Sequence, residues 1–277
     1  MLIPTYEKVY YFTSTSTFVR PFDWNDNANI IICLGNGGNG AWYRNTGASL
    51  YFAMSGAGGA YAASTNIVLS PYLTYNVTIP LVTYTASGTA DNTSTYGDVT
   101  FGGTSLSNCV VGAQSGQSGD PTNLYVAARG GLAASSVGQI CYSGADGIFA
   151  GGSSGGTGGG GGAAGPSGNG ALGGYGGGGP TIPGPSVGGT ADNGTVAGGT
   201  ASSNGLNGTE FSAAFGCGSG GGASNVNGTP YAGNGGVYGG GGAAYGHYYG
   251  KAAGVYGPGL VIVAYSPITP AALMIGL

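Results

Sequence analysis

Hydrophobic residues fall in short bursts along this chain, and no window keeps a 3.6-residue period free of glycine. Lys8 to Phe12 and Thr17 to Val19 are β-favouring runs split by Ser and Thr. Asn29 to Leu34 is a continuous apolar run closed by Gly35, the pattern of a strand buried on both faces. Ala60 to Leu69 and Thr74 to Ile79 flank Ser70-Pro71 and predict a hairpin. Asp98 to Phe101, Asn108 to Gly112 and Asn123 to Ala128 are shorter strand candidates, and Gly259 to Tyr265 is the clearest closing strand. Short strands with turn residues between them predict an all-β chain with a sandwich-like framework or a partial barrel.

Glycine changes this picture. Of 65 glycines, 44 fall in residues 151–259. The expected organisation is a β-sandwich framework over 1–150, a glycine-rich region over 151–259, and a closing strand with a docking tail over 260–277. A stretch such as Gly155 to Gly165 has almost no side chain to bury against the entropy of ordering it. It is either a flexible linker or a bundle of polyproline II strands whose backbones pack directly, three residues per turn. Tyr175, Phe211, Phe215, Tyr231, Tyr238 and Tyr245 within it favour the ordered bundle, inserted before the last strand.

Charge narrows the function classes. Lys and Arg number five, Asp and Glu nine, for a net charge of -4, and only 5% of residues are charged. Five scattered basic residues argue against nucleic acid as a partner. No apolar run approaches the roughly 20 residues of a membrane-spanning helix, so membrane insertion is not expected. The opening MLIPTYEKVYY does not read as a signal peptide, which points to synthesis in a reducing cytoplasm. Cys33, Cys109, Cys141 and Cys217 form no CxxC pair, which argues against zinc and thioredoxin-type redox chemistry; without a secretion signal, free buried thiols are expected over two disulfides.

Chemical motifs are thin. Gly168-x-Gly170-x-x-Gly173 matches a dinucleotide fingerprint literally, but lacks the preceding strand and following helix, and glycine this dense produces such matches by chance. Gly250-Lys251 is followed by Ala252, so the phosphate-loop pattern fails. His247 is the one histidine, with no carboxylate within 30 residues. Asp91, Asp98, Asp120, Asp146 and Asp192 read as isolated turn caps. Asn76, Asn92, Asn193, Asn207 and Asn227 head sequon patterns that carry no weight in a chain so rich in Asn and Thr. No catalytic residue, cofactor site or metal site is expected. Trp42, Tyr43, Tyr245, His247, Tyr248 and Tyr249 are candidate receptor contacts, because rigid aromatic rings among glycines suit binding loops. The competing reading has these rings lidding the glycine bundle.

Two segments together resemble the glycine-rich structural proteins of tailed bacteriophages. The first is Phe18 to Gly38, where Pro21-Phe22-Asp23-Trp24 leads into a strand ending in Gly37-Gly38. The second is Ser55-Gly56-Ala57-Gly58-Gly59-Ala60-Tyr61-Ala62, followed by Leu69-Ser70-Pro71. Gly158 to Gly170 and Gly257 to Tyr265 complete an order of motifs that spans residues 18 to 265. The resemblance implies a non-enzymatic virion component made in the host cytoplasm, typically a tail appendage or fibre adhesin. It implies other virion proteins as partners, a homo-oligomer, and a host surface glycan or protein as receptor. A capsid decoration or head fibre is the alternative; a glycan depolymerase and an ice-binding structural protein are further readings.

Overall fold

Strands β3 (Asn29–Leu34) and β19 (Leu260–Tyr265) are buried at every residue and pair antiparallel, Ile32 opposite Ile262, at the centre of the molecule. The computed structural model describes residues 6–45, 50–81, 90–91, 97–120, 126–152, 156–176, 186–226, 229–246 and 252–268. With β1 (Lys8–Phe12), β6 (Tyr61–Thr65) and β11 (Ile140–Tyr142) these two strands form a five-stranded sheet in the order β1-β19-β3-β6-β11. A second sheet runs β10-β9-β7-β2, from β2 (Ser16–Val19), β7 (Thr74–Thr78), β9 (Val99–Phe101) and β10 (Val111–Ala113). All described pairings are antiparallel.

Side chains alternate across a strand, so each central strand supplies two cores. Ile31, Cys33, Val261, Val263 and Tyr265 point to the second sheet, where Phe18, Trp24, Val77, Val99, Phe101 and Val111 meet them. Ile30, Ile32, Leu34, Leu260, Ile262 and Ala264 point the other way. There they meet Ala163, Ala164, Ala191, Val196, Phe211, Cys217 and Tyr238, all from the glycine-rich part of the chain. The protein is therefore all-β, with two sheets packed face to face and glycine-strand turns covering the outer face of the larger one.

The expected hairpin across Ser70-Pro71 does not form. β6 pairs with β3 and β11 in one sheet, whereas β7 pairs with β2 and β9 in the other. The chain crosses the sandwich instead. Asn66 and Tyr72 take positive φ there, 54° and 62°. The Asn29 carboxamide anchors the crossing, accepting from the Ile67 N–H at 2.8 Å and donating to the Ile67 carbonyl at 3.1 Å.

Between the framework and the far end of the molecule lies a lattice of glycine strands. A recurring pattern in its hydrogen bonds is that residues i and i+3 address the same neighbour. In the strand 56–60, Gly56 and Gly59 donate to Gly242 and Gly239, Ala57 and Ala60 to Gln117 and Gln114, and Gly58 to Ala145. Its carbonyls accept from Gly161 and Ala164, from Gly38 and Gly35, and from Gly131. That is three neighbours by donation and three more by acceptance. Glycine is required because the backbones touch: a Cβ added at Gly58 would fall on the carbonyl of Gly162, and one at Gly160 on the carbonyl of Gly241. Where the neighbours leave room, Ala57, Ala60, Ala163, Ala164 and Ala243 fill it and are fully buried.

The lattice does not keep to residues 151–259. Segments 35–40, 55–60, 114–119, 128–131 and 143–148 take part in it as fully as the later ones. The last of the shorter strand candidates, Asn123 to Ala128, begins in residues outside those described, and 126–128 form no strand.

Candidate functional site

Four lattice segments, 35–40, 55–60, 143–148 and 254–259, each run straight from a framework strand to a strand at the opposite end. Six extended residues span roughly 20 Å, so the two ends are held apart by a fixed spacer. At the far end β4 (Ala41–Asn45), β5 (Leu50–Met54), β8 (Ala90–Asp91) and β12 (Phe149–Gly152) make a sheet in the order β12-β5-β4-β8. Beside it β13 (Gly156–Gly158), β14 (Tyr175–Gly176), β17 (Ala244–Gly246) and β18 (Ala252–Ala253) make another, in the order β14-β13-β17-β18. A hairpin of β15 (Ala223–Val226) and β16 (Thr229–Ala232) packs against β17 and β18. These short sheets hold together on small residues: Ala53, Ala150 and Ala244 form one cluster, and Ala41, Phe52 and Met54 another with Phe149. The Phe52 and Phe149 rings stack with centroids 5.8 Å apart.

The aromatic candidates divide. Trp42 lies in β4 and is 4% exposed, and Tyr245 lies in β17 and is 0% exposed. Both rings pack inside the far-end sheets, so neither offers a face to a receptor, and both are withdrawn as contacts. In the strand ladders Trp42 lies opposite Ala53, and Tyr245 opposite Thr157 and Ala252. Tyr43 pairs through its backbone with Phe52 and Ala90. His247, Tyr248 and Tyr249 lie outside the described residues. A run of apolar residues at Leu50 to Met54 facing Ala41 to Tyr43 across a Gly-containing stretch is the hairpin signal that would have marked these as strands.

The small polar residues have a role that their local sequence does not announce. Asp98 accepts from the Ser115 N–H at 3.1 Å, Asp146 from the Gly130 N–H at 2.7 Å, and Asp192 from the Ser167 N–H at 2.5 Å. These are long-range staples; Asp192 also serves its own turn, accepting from the Thr195 hydroxyl at 2.9 Å. Asn36 accepts from Gly259 at 2.7 Å, and Asn39 from Tyr256 at 2.9 Å. Asn207, which heads a sequon pattern, accepts from Val237 at 2.8 Å. Each supplies a carbonyl or carboxylate where the lattice strand beside it lacks one.

The four cysteines are unpaired. Burial pushes the Cys33 and Cys217 thiols well above their usual range, and those of Cys109 and Cys141 up as well, which keeps them protonated and poorly nucleophilic. Among the described residues no group of three or more His, Cys, Asp or Glu is placed to hold a metal ion. No helix among them is long and apolar enough to cross a membrane. Compared with known proteins, the chain matches no family model and no curated sequence.

Proposed function

We propose that this chain is a bacteriophage virion structural protein, most readily a tail appendage or fibre adhesin that acts by shape and contact. The observation that carries the reading is the separation of the two ends. A side-chain-packed sandwich at one end suits attachment to other virion proteins. A rigid lattice then holds several hairpin ends together at the other, where they can face a host surface. The hydrogen-bonded lattice fits this role, since a backbone bonded on all sides resists bending under load. The resemblance of Phe18 to Gly38 and of Ser55 to Ala62 to phage glycine-rich proteins points the same way.

Two measurements test it. Gold-labelled antibody against the chain should decorate the tail tip of purified particles, and the purified protein should bind host cells and compete with phage adsorption. Label confined to the head would move the protein to a capsid decoration or head fibre, and no binding to cells would end the adhesin reading.

A further inference from the structure

A second feature lies away from the hairpin ends, on the flank where the framework meets the lattice. A cleft of about 320 Å³ opens between the start of β9 and two lattice segments, lined by Asp98, Gln114, Gln117, Arg129, Gly130 and Leu132 with Ser115 beneath them. Ligand clefts begin at about this size.

Its polar groups are held by one atom each and left unspent at the other. Asp98 Oδ1 accepts from the Ser115 N–H. Gln114 Oε1 accepts from the Leu132 N–H at 2.8 Å, and Gln117 Oε1 from the Arg129 N–H at 3.2 Å. A backbone N–H needs an oxygen opposite it, so both amide orientations are forced, and each Nε2 is the free end. Arg129 has no carboxylate partner among the described residues. The cleft thus offers one carboxylate oxygen, two amide donors, a guanidinium and the exposed apolar side chain of Leu132. Asp98 and Arg129 cancel in charge, so neither a strong anion nor a cation is favoured. The complement is a neutral ligand dense in hydroxyls, which both donate and accept, with one C–H face to lay on Leu132.

We propose that this cleft binds a single neutral hexopyranose unit of a surface glycan, with Asp98 accepting from ring hydroxyls and Gln114, Gln117 and Arg129 donating to them. The proposal deepens the adhesin reading and rests on it for the source of the glycan. It places a carbohydrate subsite on the flank of the molecule, apart from the hairpin ends.

Saturation-transfer NMR on the full chain tests it, with the methyl glycosides of glucose, galactose, mannose and N-acetylglucosamine as probes. At least one should receive transfer. Gln117→Glu keeps an oxygen for the Arg129 N–H, replaces the free donor with a second acceptor oxygen and adds one negative charge; Arg129→Ala removes an exposed side chain without a described bond. Each should weaken binding tenfold or more with an unchanged melting temperature. No transfer to any glycoside, or transfer unchanged in both variants, overturns the cleft. Binding to host cells separates the two ideas. Equal cell binding by wild type and both variants, with no sugar transfer, overturns the cleft and leaves the adhesin. Sugar binding lost in both variants while no form binds cells supports the cleft and removes the adhesin.

Discussion

The framework and the lattice satisfy the same requirement by opposite means. Every buried backbone N–H and C=O needs a partner. In the framework the partners lie in one plane, so side chains stand free on both faces and the stabilisation comes from Ile, Val, Phe and Trp packed between sheets. In the lattice the partners surround each strand, as they surround 56–60, and only a methyl group finds room there, at Ala57 and Ala60. The first region stores its stability in volume and the second in contact between backbones. Their tolerances should therefore be reversed: the framework suffers when atoms are removed, the lattice when they are added.

Gly160→Val is the sharpest test of that reversal and carries the largest expected effect. It adds apolar surface, yet the first atom it adds falls on the Gly241 carbonyl, which is itself part of the bonded lattice. Overpacking a side-chain core costs about 1–3 kcal/mol. Here the obstacle is backbone that cannot change rotamer, so the expected cost exceeds that range and no cooperative thermal transition should remain. A Val scan from Gly158 to Gly162 that left the melting curve intact would break the comparison at its root. The framework counterpart is Ile31→Ala or Val263→Ala, both fully buried between the sheets. Truncations of this kind cost about 1–5 kcal/mol, with Ile at the upper end, and leave a folded protein with a lower midpoint. One added isopropyl group in the lattice should thus outweigh the loss of most of a side chain from the framework.

The two regions also differed in how legible they were from sequence. β3 and β19 announce themselves because continuous apolar runs with glycine at one end, Gly35 after β3 and Gly259 before β19, have few alternatives. All-β character and an ordered glycine region follow from the same pattern of bursts, turns and interspersed aromatic rings. The lattice members in the first half were missed because a glycine strand of six residues, such as 35–40, looks like a loop when counted by composition. The hairpin at Ser70-Pro71 was misjudged because two residues with side chains adopt the positive φ that turns the chain across the sandwich. Trp42 and Tyr245 looked like binding rings because aromatic residues among glycines read as loop, and their burial comes from strands distant in sequence. Asn36, Asn207 and Asp192 were illegible for a fourth reason: their partners lie 223, 30 and 25 residues away.

Those staples predict effects of intermediate size. Asn36 is fully buried; its amide donates to the Ser115 hydroxyl and its carbonyl accepts from Gly259, the residue before β19. Asn36→Ala leaves the Gly259 N–H without an acceptor inside the protein, at a cost of about 1–3 kcal/mol. Asn207→Ala, on an exposed stretch where water can replace the lost oxygen, should cost distinctly less. Chemical denaturation of the two variants side by side measures the difference. Equal losses would mean that the staples act through local turn conformation and not by completing the lattice.

The smallest expected effect concerns the seam itself, at Asp98. Burial raises its carboxyl above the ordinary range, and the Ser115 N–H opposes this by favouring the charged form. With the folded value above the unfolded one, the folded chain holds the proton more firmly. The stability this contributes is complete below the unfolded value and is lost as pH rises through the folded one. At neutral pH the half-buried charge is therefore a small burden. Asp98→Asn keeps the oxygen that accepts from Ser115 and removes that charge. Its melting temperature should equal or slightly exceed the wild type's at pH 7, and the gap should close as both are taken down through the carboxylate range. A variant that is less stable at pH 7, by a margin that shrinks on acidification, would show that the charge is held as a needed partner. The seam would then depend on an electrostatic clamp, and the division into a side-chain half and a backbone half would need a third element between them.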